Sequence, residues 1–144
     1  MGDPRQLPPP PNPRMLPVFA TITYAAAVIA LWGFVSLALN VDAIAQRDAG
    51  PLLGPLMVLG ACVATLAALL RVRTRPSPTA TGLVAAASVY VVMLGIGAIG
   101  YAIIRADVSW FVLFIGAYAL SPFVLGAALL SGLNVVVVWA LTRR

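Results

Sequence analysis

The chain has 144 residues, 62% of them hydrophobic and only 9% charged, with a mean hydropathy of +1.02. A soluble domain carries about a quarter charged residues, so a water-soluble globule is excluded and an integral membrane protein is expected. All nine basic residues are Arg, all four acids are Asp and His is absent, which removes the side chains most used in general acid–base and metal chemistry.

Residues 1–13 hold six of the twelve prolines, including the run 8–11. Together with little that could join a core, this predicts a disordered, polyproline-biased cytoplasmic tail over 1–15, followed by a transmembrane domain over 16–144. The first span is expected at about 17–39, too long for a signal core of about 7 to 15 residues and so a retained anchor. On its helical wheel Thr23, Ala26, Ala30 and Gly33 share one face, opposite Val28, Trp32, Val35 and Leu39. The small face is expected to meet protein and the bulky face lipid.

A connection over 40–50 carries Asp42, Arg47 and Asp48, and the second span is expected at about 52–70. Within that span Gly60, Ala64 and Ala68 repeat a small residue every fourth position, a spacing that lets helix backbones approach closely. Cys62 is the only cysteine, so no intrachain disulfide can form. Residues 71–78 then bring Arg71, Arg73 and Arg75 into one short loop. Arg in a short loop resists translocation, so this loop is expected on the cytoplasmic side.

Ser77 and Pro78 read as an N-cap and first-turn proline of the third span, about 80–104, whose far end holds Gly95, Gly97 and Gly100. After a turn with Arg105 and Asp107, residues 109–141 form thirty-three positions without a charge. One helix of that length would be about 50 Å long against a hydrocarbon core of about 30 Å. Pro122 cannot donate to the Tyr118 carbonyl, so the fourth span, about 110–141, is expected either to kink there and continue or to break into an outer half-helix and a full span.

The expected fold is therefore all-α and polytopic, with four transmembrane helices in two antiparallel hairpins, the fourth long and kinked or broken near Pro122. With both termini inside, Arg5, Arg14, Arg71, Arg73, Arg75, Arg143 and Arg144 lie on the cytoplasmic side, leaving Arg47 and Arg105 outside. Seven against two is a strong positive-inside bias. It also accounts for the net charge of +5 without a nucleic-acid partner, since no soluble face gathers the arginines.

No nucleophile–base pair, metal-ligand cluster or phosphate loop is legible, so neither a catalytic residue nor a cofactor is expected. Asp42, Asp48 and Asp107 read as solvated turn acids. What remains inside the spans is a polar set, Thr23, Thr65, Ser88, Ser131 and Asn134, at similar depths from the cytoplasmic end. It reads as a hydrogen-bonded layer that fixes helix register, with Asn134 expected to pair with Thr65.

In its proline-rich leader, its use of Arg in place of Lys, its Ala/Val/Leu/Gly-rich spans and its terminal Arg143–Arg144 pair, the chain resembles the small, uncharacterised four-span membrane proteins of actinobacteria. The resemblance implies a bacterial inner (plasma) membrane and carries no activity with it. The expected function is that of a non-enzymatic accessory subunit or helix-packing module, partnered by the lipid bilayer and by other membrane subunits or itself. The alternative is a component of a small oligomeric transporter or channel that lacks an intramembrane proton-coupling residue.

Overall fold

The computed structural model describes residues 15–44, 49–72 and 77–142. The expected tail as far as residue 14, with Arg5 and Arg14, and also Arg47, Asp48, Arg73, Arg75, Arg143 and Arg144 lie outside the described residues. Among the described residues the regular structure is helical: α1 (Leu16–Leu39), α2 (Leu53–Leu70), α3 (Pro78–Arg105), α4 (Ser109–Tyr118) and α5 (Pro122–Thr142). At 24, 18, 28 and 21 residues, α1, α2, α3 and α5 are each long and apolar enough to cross a membrane, whereas α4, with 10, is not.

The helix ends follow from local chemistry. Ser77 accepts the Ala80 N–H and caps α3, and Pro78 stands first in the helix, where its missing N–H is no loss. α1 stops at Asn40, whose left-handed backbone (φ 52°) turns the following N–H, that of Val41, back onto the Ser36 carbonyl at 3.2 Å. Asn tolerates that conformation better than most residues because its short side chain bonds locally.

At Pro122 the uncharged stretch divides into α4 and α5. The Tyr118 carbonyl, denied an N–H by the proline ring, takes the Ser121 N–H at 3.0 Å. The next carbonyl, Ala119, accepts the Tyr90 hydroxyl of α3 at 3.0 Å. A neighbouring helix thus supplies a donor at the interruption, a general requirement for broken helices in apolar surroundings.

α3 and α5 form the centre, with nine and eight buried residues against three on α1. α3 packs on α2, α4 and α5, while α1 packs on α5 and α2. The backbones of α3 and α5 meet at Gly82 and Gly132: a Cβ built on Gly132 would stand 2.9 Å from the Gly82 carbonyl oxygen, and one on Gly82 would stand 3.0 Å from the Gly132 oxygen. The two backbones touch because neither carries a side chain there. Val136 is half-buried, and its Cγ2 would lie 2.6 Å from a Cβ on Gly82. The close crossing draws it in against α3.

Elsewhere a small residue on one helix admits a large one from the next. Ile96 of α3 lies over Gly60, the Phe114 ring of α4 over Gly97, and Leu53 of α2 over Gly100. By contrast, nothing lies within 4 Å of a Cβ built on Gly95. Gly132→Ala is therefore expected to lower stability by about 1 to 3 kcal/mol, since backbone cannot yield as a side chain can. Gly95→Ala should be neutral or stabilising by up to ~1 kcal/mol. Unfolding in mixed detergent micelles measures both, and equal tolerance of the two substitutions would refute the backbone contact.

Candidate functional site

The inward face of α1 is built by Ala20, Tyr24 and Val28, with Trp32 half-buried beside them. Tyr24 donates its hydroxyl to the Ala127 carbonyl of α5 at 3.1 Å, and the Trp32 indole N–H donates to the Phe123 carbonyl at 3.1 Å. Trp32 also meets the Phe123 ring edge to face, at 5.8 Å between centroids. This reverses the expected orientation of α1: Ala26, Ala30 and Gly33 are exposed, and nothing lies within 4 Å of a Cβ on Gly33. The reason is the polar tips of Tyr24 and Trp32, which need acceptors that lipid does not offer and α5 carbonyls do. On α2, Gly60, Ala64 and Ala68 are half-buried; Ala64 and Ala68 pack on the core, and Gly60 lies under Ile96.

Of the expected polar layer, Thr65 and Ser131 come together. Both are fully buried, with 2.8 Å between their hydroxyl oxygens and either one able to donate. Asn134 does not reach Thr65; its Nδ2 donates to the Ala20 carbonyl of α1 at 2.8 Å. Thr23 and Ser88 are exposed and bond only within their own helices, to the Phe19 and Val84 carbonyls at 3.0 and 2.7 Å. Matching depth therefore did not imply a shared layer, because depth along a helix leaves rotation about its axis open. Among the described residues no buried side-chain nitrogen or oxygen lacks a partner. The arrangement is a set of pins joining α1, α2 and α5.

At the end of α3 remote from Arg71, aromatic rings gather. Phe114 stacks on Tyr118 at 4.3 Å with 17° between planes, and Tyr101 meets Trp110 edge to face at 5.5 Å. The Arg105 guanidinium lies 4.7 Å from the Trp110 ring centre and donates through Nε to the Tyr101 hydroxyl at 3.2 Å. Asp107 accepts the Ser109 N–H at 2.9 Å and its hydroxyl at 2.8 Å. These two bonds, the backbone one foremost, hold the exposed Asp107 carboxyl below its ordinary pKa. Arg71, the described member of the arginine loop, caps α2 through its backbone N–H.

Cavities open on the surface between described residues, and two of them are well defined. One, of about 570 Å³, is an apolar groove between α1 and α2 lined by Ile29, Trp32, Gly54, Val58 and Cys62 among others. The other, of about 350 Å³, lies where the α1–α2 connection meets the α4–α5 break, and is lined by Asp42, Ala43, Ala117, Tyr118, Leu120, Ser121, Pro122 and Phe123. Among the described residues no three His, Cys, Asp or Glu side chains converge on a metal-sized site.

The residues missed in the sequence are Gly82 and Gly132, together with Tyr24 and Trp32 as donors. Gly82 with Ala86, and Ala128 with Gly132, do carry small-residue spacing, which was there to be read. A double-mutant cycle of Thr65→Val with Ser131→Ala should show favourable coupling of about 0.6 kcal/mol, the average for hydrogen bonds between membrane helices. Thr65→Val with Asn134→Ala should be additive within about 0.3 to 0.5 kcal/mol. The opposite pattern would restore the Thr65–Asn134 pair.

Neither a curated protein nor a solved structure matches this chain. A family model does match, described as "Family of unknown function (DUF6121)" and covering residues 12–144. The match runs over nearly the whole length, so the chain belongs to that family.

Proposed function

We propose that the chain is a multi-pass inner-membrane protein that works without catalysis, by lateral packing of its helices against other membrane helices. Its four spans run as two antiparallel hairpins with both termini cytoplasmic, and α4 lies as a half-helix in the outer leaflet. The seven-to-two arginine distribution supports that orientation.

The observation that carries the packing role is the outward face of α1. Ala26, Ala30 and Gly33 recur at helical spacing and are all exposed, whereas Gly60, Gly97, Gly100 and Gly126 are each filled by a side chain from another helix. Small residues at this spacing let a second backbone come close, and in lipid such packing drives helix association. A stripe of this kind is self-complementary, so a second copy of the chain is the first occupant it suits. A foreign subunit with a matching face is the other.

In a Cys62→Ser background, Ala30→Cys should give an oxidative cross-link in native membranes. A homodimer supports self-association, a defined heterodimer supports an accessory subunit, and no cross-link at Ala30, Ala26 or Gly33 would overturn the packing role. Gly33→Leu should abolish the cross-link at residue 30 while leaving monomer stability unchanged. Reporter fusions after residues 75 and 144 should both read cytoplasmic, and a periplasmic signal from either would overturn the orientation.

A further inference from the structure

We propose that the cavity between the α1–α2 connection and the α4–α5 break binds a small organic ammonium ion. At about 350 Å³ it is near the lower end of the range for small-molecule sites, about 300 to 1,000 Å³. Its wall combines one carboxylate, Asp42, with two residues that carry a hydroxyl, Tyr118 and Ser121, the aromatic Phe123, and otherwise residues with aliphatic side chains.

That chemistry selects among ligand classes. An anion would meet the Asp42 charge, and among the described residues that line the cavity none is basic to offset it. A bare metal ion needs about six oxygen ligands if it is hard, more than the one carboxylate and two hydroxyls of the lining side chains provide. A neutral apolar molecule would displace water from the carboxylate and return nothing to it. An alkylammonium satisfies both halves of the wall, with its charge at Asp42 and its methyl or methylene groups against the apolar side, to which the mostly buried Tyr118 and Phe123 contribute. The rings are set in advance: Tyr118 is stacked on Phe114, and Phe123 is held edge to face by Trp32. Binding therefore does not have to order them. The sequence reading gave Asp42 only a turn, because nothing in the sequence brings residue 42 to residues 117–123.

The ammonium can belong to a soluble amine or to a lipid headgroup, and the site lies apart from the α1 face, so a chain that fails to self-associate still tests it. The experiment uses the full chain in non-ionic detergent, with tetramethylammonium as the probe and saturation-transfer NMR of its methyl signal as the readout. Saturable binding is expected, weakened about fivefold by Asp42→Asn, in line with the upper end for exposed ion pairs. Neopentyl alcohol, a neutral molecule of similar shape, should bind at least about fivefold more weakly than the probe by the same measure. Ala117→Phe, from an exposed position on the rim, should fill the cavity and abolish binding with the helical spectrum retained. Equal binding by wild type and Asp42→Asn, or by the probe and the neutral alcohol, would overturn the proposal even if Ala117→Phe failed to fold. Added phosphatidylcholine that competes with the probe assigns the site to a headgroup, and indifference to it assigns the site to a soluble amine.

Discussion

The bundle depends on one backbone contact, that of α3 with α5 at Gly82 and Gly132. Lipid is as apolar as a leucine side chain, so helices of this kind gain little from hiding hydrophobic surface and must gain from close packing and hydrogen bonds. Bringing two backbones into contact does the first and sets up the second. Ser131 precedes Gly132 and so points about 100° round the helix, where it meets Thr65 of α2. Ala127 and Asn134 lie about one turn to either side of Ser131 along α5 and meet α1. The rotation of α5 about its axis, fixed by its glycine, decides which donors and acceptors the other helices find.

The interruption at Pro122 is the second constraint, and its consequences run through α3. Breaking the helix frees carbonyls, and Tyr90 answers one of them from a position two turns before Gly97. Gly97 in turn is the place where the Phe114 ring enters, which seats α4 on α3. A proline in one helix is thus matched by a tyrosine and a glycine on its neighbour. The aromatic group of Tyr101, Trp110, Phe114 and Tyr118 closes this end of the molecule, with Arg105 over its outer ring.

The sequence made legible whatever depends on one helix alone. Long uncharged runs gave the four apolar helices, Ser77–Pro78 marked the start of α3, and Pro122 with thirty-three uncharged residues marked a strained stretch. What was illegible depends on rotation between helices. Thr65, Ser131 and Asn134 were read as polar groups at similar depth, but depth could not tell that Ser131 takes Thr65 while Asn134 crosses to Ala20. Asp42 and Ser121 are seventy-nine positions apart and share a cavity only through the break at Pro122.

The orientation of α1 shows how magnitudes decide such cases. Turning its small face inward would gain dispersion contacts, each about 0.1 to 0.2 kcal/mol per atom pair, and a methyl group makes few of them. It would also carry the Tyr24 hydroxyl and the Trp32 N–H away from the Ala127 and Phe123 carbonyls. A hydroxyl or amide-like donor without a partner costs about 4 to 8 kcal/mol in a medium that cannot hydrogen-bond, and about 1 to 3 in a protein that partly adapts. Two stranded donors outweigh the methyl contacts on either scale. The acceptors they use are helical carbonyls with a second lone pair to offer, so α5 gives up none of its own bonds. Tyr24 and Trp32 therefore turn inward, and Ala26, Ala30 and Gly33 are left outward as a consequence of where the donors must go.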